Sequence, residues 1–183
     1  MGTDTRQRMV DTAVRLFRSQ GYAATSWRGL VQEAGTPWGS VQHHFPGGKA
    51  ELAVAALGAG EDVVAQAITI GFDRYDDPAD AVAWWFGKAG RLLERSGFRE
   101  GCPVAMLALE GGGPQVAGAS RKAFERWQGV LADRLREKGL ADPEGLALST
   151  LIALEGALVM AKALQSTHPL DRAAADVRLR LAS

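Results

Sequence analysis

Apolar positions recur at helical spacing along almost the whole chain, and no segment alternates apolar and polar side chains as a half-buried strand would. The stretch RQRMVDTAVRLFRSQG, residues 6–21, places Val10, Ala13 and Phe17 on one face and its arginines outside it. Gly21 is predicted to end this helix. The pattern therefore predicts an all-α protein.

Two shorter helices are predicted next. The segment SWRGLVQEAG, residues 26–35, begins after a cap supplied by Thr25 or Ser26. Thr36 is expected to cap a third helix whose first position is Pro37, where the missing N–H costs nothing. A Pro-Gly-Gly triplet ends that helix. Three helices whose last two are joined by a tight turn form the helix-turn-helix arrangement.

Longer helices follow from Lys49 onward. The predicted segments are 49–72, 78–98, 101–113, 114–140 and 142–166, with a short final helix after His168-Pro169. The segment 142–166 is apolar almost all round, so it must be buried on more than one side. We find no repeat or flexible linker. The chain is therefore predicted to divide into residues 1–48 and 49–183, joined by a continuous helix.

The charge distribution and the cysteine content indicate a class of partner and a cellular compartment. Lys and Arg number 21 and Asp and Glu number 21, yet the residues up to Leu52 carry a net charge of +2. This mild asymmetry is compatible with an N-terminal nucleic-acid site. The lone Cys102 cannot form an internal disulfide, which favours the cytoplasm. No apolar run of about eighteen residues is seen, and no membrane association is expected.

The segment LFRSQGYAATSWRGLVQEAGTPWGSVQHHFPGGKAEL, residues 16–52, resembles the DNA-binding domain of TetR-type transcriptional regulators. Three further pieces resemble the LmrA/YxaF-like branch of that family: FPGGK (45–49), GCPV (101–104) and LEGALVMAKA (154–163). The resemblance implies an N-terminal domain that binds double-stranded DNA and a helical C-terminal domain that binds a small effector and forms a homodimer. It implies no enzymatic activity and no cofactor.

A short helix can enter the major groove and present side chains to base edges. The small residues Gly39 and Ser40 would let the backbone approach the phosphates closely. Gln42 can pair with adenine, and Trp38 can stack on a sugar or meet a thymine methyl group. The expected DNA contacts are Thr25, Ser26, Arg28, Thr36, Pro37, Trp38, Gly39, Ser40, Gln42, His43 and Lys49.

Two of these positions depart from the family pattern. Trp38 stands where a basic residue is common, and Gln42 stands where the family usually has a tyrosine that contacts a phosphate. Both changes remove a phosphate contact of the usual kind. They predict an altered operator preference or a weaker non-specific affinity.

Two other interpretations of this segment are disfavoured. Adjacent helical residues such as His43 and His44 point about 100° apart, and no Cys or acid at i+4 completes a metal site. The PGGK piece lacks the earlier glycine and the following Ser or Thr of a phosphate-binding loop. We expect His44 to pack inward and His43 to point outward.

The C-terminal half is expected to enclose an apolar effector pocket. Aromatic side chains at helical spacing are also usual in a core, and the carboxylates could make structural hydrogen bonds instead of binding ligand. Cys102 lacks a resolving partner for redox sensing. The candidate lining residues are Trp84, Trp85, Phe98, Cys102, Met106, Leu109, Glu110, Trp127, Glu155 and Met160. Their composition favours a flat, hydrophobic, uncharged effector.

The helix over 142–166 and the final helix are expected to form a four-helix interface between two copies. The interface candidates are Leu151, Leu154, Ala157, Leu158, Ala161 and Leu164. A two-fold axis then predicts a palindromic operator. The expected function is a dimeric repressor released by its effector. The alternatives are an activator of the same fold, a small helical enzyme using Glu110 or Glu155 as base, and a structural oligomer.

Overall fold

The structure, a computed structural model, describes residues 2–182, with side chains from Thr5 onward. Within this range the chain forms nine α-helices and no strand, which confirms the all-α prediction. The helices are α1 (Gly2–Gln20), α2 (Trp27–Glu33), α3 (Trp38–His44), α4 (Gly48–Arg74), α5 (Pro78–Arg95), α6 (Pro103–Glu110), α7 (Pro114–Glu137), α8 (Pro143–Leu164) and α9 (His168–Leu181).

The starts of α2 and α3 are set by different local interactions. Ser26 caps α2, because its hydroxyl accepts the Gly29 N–H at 3.0 Å. Helix α3 begins at Trp38, and Pro37 is its N-cap without a side-chain hydrogen bond. The predicted cap at Thr36 is therefore wrong. Its hydroxyl is turned into the protein and donates to the Met9 sulfur at 3.1 Å.

The helices group into two compact units. Unit 1 comprises the residues up to Asp62 together with Cys102–Ala123, and unit 2 comprises Val63–Gly101 together with the residues from Phe124 onward. Helix α6 and the first part of α7 thus pack with the N-terminal helices. The predicted division between residues 48 and 49 remains a prediction, and the packing adds a second segment to the N-terminal part.

Each unit has its own apolar core. The side chains of Met9, Phe17, Leu30 and Phe45 are buried in unit 1. In unit 2, α9 packs against both α5 and α8. The buried core of unit 2 includes Phe86, Val82, Trp127, Leu131, Leu154 and Ala161.

Helices α4 and α8 are each long and apolar enough, by length and composition alone, to cross a membrane. Both contain a few charged residues, so neither is an uninterrupted apolar run of about eighteen residues. In the most apolar part of each helix, 39% of α4 and 33% of α8 is buried inside the chain, so packing within the chain covers only part of either helix. Helix α4 contributes residues to both units, and α8 packs against α5 and α9.

Candidate DNA-binding surface

Helices α2 and α3 are held in unit 1 by a small number of apolar side chains. Leu30 and Val31 anchor α2, and Val41 anchors α3. Gly35 lies in the turn between the two helices with a φ of +58°, a left-handed conformation that favours glycine. A short helix anchored on one side leaves its other side exposed, and the predicted DNA contacts of α3 lie on that exposed side.

The outer side of α3 is exposed where the sequence predicted DNA contacts. Pro37, Trp38, Gly39, Gln42 and His43 are all exposed, and Ser40 is half-buried. The Trp38 side chain is 57% exposed, which is unusual for the largest apolar side chain. A Cβ atom placed on Gly39 would meet nothing within 4 Å, so the helix backbone can approach a partner closely here.

Two of the predicted DNA contacts, Thr25 and Thr36, are buried in the interior of unit 1. Thr25 is 1% exposed, and its hydroxyl donates to the Gly21 carbonyl at 2.6 Å and accepts from Gln20 at 3.1 Å. Thr36 is also buried. Both hydroxyls serve the turns that flank α2, because buried polar groups must find internal partners. The structure therefore disfavours a direct phosphate contact from either threonine.

The remaining candidates lie on α2 and at the start of α4. Ser26 and Arg28 are exposed, and Lys49 is half-buried in the first turn of α4. The Lys49 ammonium lies over the Tyr22 ring, 4.0 Å from its centroid. Partial burial lowers the pKa of Lys49, and the nearby Glu110 carboxylate opposes this shift. Tyr22 and Glu110 were not predicted to belong to this site.

The histidine pair adopts the predicted arrangement. His43 is exposed and His44 is half-buried, with ring centroids 5.3 Å apart. Among the described residues, no group of three or more His, Cys, Asp or Glu side chains is placed to hold a metal ion. His43 therefore remains available to a partner outside the chain.

The predicted effector residues divide between the two units. Cys102, Met106, Leu109 and Glu110 lie in unit 1, and the others lie in unit 2. Cys102 caps α6, its sulfur accepting the Ala105 N–H at 3.5 Å. Leu109 is 79% exposed.

In unit 2, the effector candidates differ in exposure. Trp85 and Trp127 are buried and pack as core side chains, whereas Trp84, Phe98 and Glu155 are half-buried. Met160 is exposed on α8. Trp84, Phe98 and Glu155 are therefore the candidates of unit 2 that are both partly enclosed and accessible to a ligand.

A surface groove of about 440 Å³ lies in unit 1. It is lined by Glu51, Val54, Pro114, Gln115, Gly118, Ala119 and Lys122. None of the residues predicted to bind an effector lines it. The groove and the predicted effector site are therefore separate features.

Most of the predicted dimer residues are buried within unit 2. Leu151, Leu154, Ala157 and Ala161 are buried within the single chain, Leu158 is half-buried, and Leu164 is exposed. A second apolar face of α8 is exposed instead, and of the predicted interface residues only Leu164 belongs to it, because a helix that is apolar all round has no readable inner face. Its members are Leu148, Ile152, Gly156, Val159, Met160 and Leu164.

Comparison with known proteins identifies relatives of both parts of the chain. Residues 9–56 match the family described as bacterial regulatory proteins, tetR family. Residues 78–176 match the C-terminal domain described as transcriptional regulator LmrA/YxaF-like. These two matches cover the helix-turn-helix and most of unit 2.

Individual relatives extend over nearly the whole chain. The HTH-type transcriptional regulator YxaF of Bacillus subtilis is 34% identical over 91% of this chain and 90% of its own length. The HTH-type transcriptional regulator LmrA of the same organism is 29% identical over 91% of both chains. The crystal structure of a regulatory protein TetR from Rhodobacter sphaeroides superimposes with a TM-score of 0.85 at 25% identity, over 94% of this chain and 96% of that chain.

Proposed function

The chain belongs to the TetR family of bacterial transcriptional regulators, which bind DNA and are not enzymes, and we propose that it is a cytoplasmic, effector-responsive repressor. In this proposal a homodimer binds a palindromic operator, and a small hydrophobic effector releases it. The observation that carries the proposal is the exposed outer side of α3, whose opposite side is anchored by Val41.

The α3 surface has the properties of a groove-reading element. Exposed Gln42 can form a bidentate pair with adenine, and exposed His43 can donate or accept a hydrogen bond at a base edge. Ser26 lies at the N-terminus of α2, where backbone N–H groups favour a phosphate. Arg28 and Lys49 add positive charge that can neutralise phosphates. Together they offer both sequence readout and positioning on the DNA backbone.

The exposed apolar stripe of α8 supports dimerisation. We define this stripe as Leu148, Ile152, Gly156 and Val159, which recur every three or four residues and so share one side of the helix. Ile152 and Val159 are 64% and 60% exposed in the single chain. A second copy of the same helix, related by a two-fold axis, would cover the stripe, and Gly156 would let the two backbones approach. We therefore move the proposed interface from the buried leucines to this stripe.

The homodimer would present two copies of α3 to the DNA. In two-fold dimers of this kind the half-sites are roughly 34–36 Å apart, or a multiple of that distance. The operator is therefore expected to be palindromic. Mobility-shift titration of the DNA upstream of the gene for this protein tests the proposal. Failure to bind any palindrome there over a range of salt concentrations would contradict it.

The half-buried aromatic residues of unit 2 support an apolar effector. Phe98 has a φ of +57°, which is strained for a bulky residue, and such strain is often concentrated at functional sites. Trp84 is half-buried, and the Lys88 ammonium lies over its ring, 5.3 Å from the centroid. An effector would release DNA only if it bound the released geometry more tightly, and α4 is the helix through which we propose the change is passed on.

An uncharged aromatic probe is expected to report on the effector site. N-phenyl-1-naphthylamine should become fluorescent on binding, and operator should be released in proportion. Replacing Trp84 by Ala should weaken probe binding by about tenfold, because a drug-sized ligand loses one aromatic wall of its site. A fluorescence titration checks this. Unchanged probe affinity would remove Trp84 from the site.

Gln42 is expected to contribute sequence readout. Replacing Gln42 by Ala should cost about 1–3 kcal/mol of discrimination between the operator and a variant with the contacted adenine changed. Competition titrations with both DNAs measure this difference. Replacing Gln66, an exposed glutamine of α4, by Ala provides the matched control and should leave discrimination unchanged. Equal discrimination by the Gln42 variant would exclude this side chain from readout.

Trp38 is expected to give the chain a lower affinity for non-operator DNA than a basic residue at this position would. Replacing Trp38 by Arg should add a phosphate contact at an exposed position and steepen the slope of log affinity against log salt by about 0.9. Titration of a non-operator duplex at several salt concentrations measures this slope. An unchanged slope would mean that residue 38 does not face the phosphates.

A further inference from the structure

Glu110, the last residue of α6, contacts a part of unit 1 that lies far from it in sequence. Its carboxylate accepts the backbone N–H of Ala23 at 2.8 Å, and Ala23 lies in the turn between α1 and α2. That turn leads directly to Ser26, the cap of α2. The carboxylate of Glu110 therefore holds the segment that places the first candidate phosphate contacts.

The charges of Glu110 and Lys49 are both placed against their own helix dipoles. Glu110 is at the C-terminal end of α6, and Lys49 is in the first turn of α4. An acid at a C-terminus and a base at an N-terminus are each unfavourable for the helix that carries them. The Glu110 carboxylate is near enough to Lys49 to favour its charged form, which opposes the lowering of the Lys49 pKa by burial.

Gly21 provides the space for this contact. It has a φ of +86°, which already favours glycine, and a Cβ atom added there would lie 2.7 Å from the carboxyl carbon of Glu110. Any larger residue would have to displace the carboxylate as well as adopt a strained backbone. The turn is therefore shaped both for its own conformation and for the approach of Glu110.

Tyr22 completes the arrangement. Its ring lies beneath the Lys49 ammonium and packs against Phe17, with ring centroids 5.5 Å apart. The ring is thus fixed to the core of unit 1 and gives the ammonium a fixed aromatic face. We refer to Glu110, Tyr22, Lys49 and the Ala23 N–H as the α6 clasp.

We propose that Glu110 is a positioning residue for DNA binding, which fixes the turn before α2 and keeps the Lys49 charge in place for a DNA phosphate. The inference rests on the proposed function, because it assumes that Ser26, Arg28 and Lys49 face DNA. Glu110 itself would not touch DNA. In this proposal Glu110 increases the affinity for DNA. A simple surface acid would lower it, because its negative charge repels phosphates.

The sign of the effect makes a sharp test. Replacing Glu110 by Gln removes one negative charge, and general electrostatics alone predicts tighter DNA binding. The clasp predicts the opposite result: operator affinity should fall by a few-fold in Glu110→Gln and by about tenfold in Glu110→Ala, which also loses the hydrogen bond to Ala23. Glu137→Gln, which makes the same charge change at the exposed end of α7, is the matched control and should bind DNA as tightly as the unmodified chain or more tightly.

Two measurements without DNA separate the clasp from a merely structural role. Titration of Lys49 by NMR should give a lower pKa in Glu110→Gln than in the unmodified chain, because the opposing carboxylate is gone while burial remains. Amide exchange at Ala23 should accelerate in Glu110→Ala, which has lost the acceptor. Circular dichroism should show the same helix content in all variants.

The sign of the pKa change also predicts a pH effect. A lower Lys49 pKa means that its positive charge is lost at a lower pH as the pH rises. Operator affinity of Glu110→Gln should therefore begin to decline at a lower pH than that of the unmodified chain.

The outcomes distinguish the inference from the proposed function. If the unmodified chain binds an operator and both Glu110 variants bind it equally or more tightly, the clasp is overturned and the regulator assignment stands. An unchanged Lys49 pKa together with unchanged Ala23 exchange overturns it regardless of any DNA result. The unmodified chain could bind no operator while the variants still show the lower Lys49 pKa and the faster Ala23 amide exchange. The clasp would then stand as a structural feature, and its assigned role in DNA binding would fail with the proposed function.

Discussion

Replacing Ile152 by Asp is expected to convert the proposed dimer into a folded monomer that no longer binds operator. Ile152 is in the middle of the exposed apolar stripe of α8, and a two-fold interface would contain it twice. A buried, unpaired carboxylate in a well-packed centre costs about 2 kcal/mol or more at each position, so the dimer dissociation constant should rise roughly a thousandfold. Sedimentation velocity measures the dimer, and fluorescence anisotropy measures operator binding.

Two variants serve as controls for this result. Ile70→Asp makes the same substitution at an exposed isoleucine of α4 and should leave both the dimer and operator binding intact. Leu154→Asp, two residues along α8 and buried within the chain, should unfold unit 2 rather than yield a folded monomer. If Ile152→Asp remained a dimer at micromolar concentration, α8 would not form the interface through this stripe.

Replacing Val41 by Asp is expected to abolish operator binding while leaving the dimer intact. Within α3, all of which the structure describes, Val41 is the only fully buried side chain. A carboxylate at this position has no partner, and its desolvation costs more than a helix of seven residues gains from docking. We therefore expect α3 to detach from α1 and α2, and affinity for operator to fall by at least about a hundredfold.

The measurement for this variant pairs operator titration with sedimentation velocity. Val63→Asp makes the same substitution at an exposed valine of α4 and should retain both properties. Retention of operator binding by Val41→Asp would mean that α3 does not read DNA. Loss of the dimer as well would mean that the folding of unit 1 and the assembly of unit 2 are not independent.

The N-terminal helices could be predicted from the sequence because their signals are local. Helix α1 has an apolar face containing Phe17 and an arginine-rich face, and α2 begins at Trp27 after Ser26, one of the two predicted caps. The flanking Thr-Pro and Pro-Gly-Gly predict the short helix α3. The roles of Thr36 and Pro37 differ from the prediction. Pro37 is the N-cap and not the first helical residue, and the Thr36 hydroxyl bonds to Met9, which is 27 residues away.

The inner and outer faces of α8 could not be predicted in the same way. Leu151 and Leu154 on one side, and Ile152 and Val159 on the other, are equally apolar. Which side is buried depends on where α5 and α9 pack, and that is decided by contacts between distant segments. Local periodicity gives a direction only when one side of the helix is polar.

Glu110 illustrates the same limit for a charged residue. In sequence it is an acid at the end of an apolar segment, a pattern that predicts a ligand anchor. The Ala23 N–H that it binds is 87 residues away. An acid at the C-terminal end of a helix, opposite to the preference of the helix dipole, was the one local sign that this carboxylate has a partner elsewhere.

Footprinting of the chain on the DNA upstream of its own gene tests the central claim most directly. We predict two protected half-sites of inverted sequence, about 10 base pairs apart from centre to centre or a multiple of this, with saturation at one dimer or a whole number of dimers per operator. Protection should disappear with Ile152→Asp and with Val41→Asp. Protection of a single asymmetric site by a monomer, or none at any salt concentration, would contradict the account.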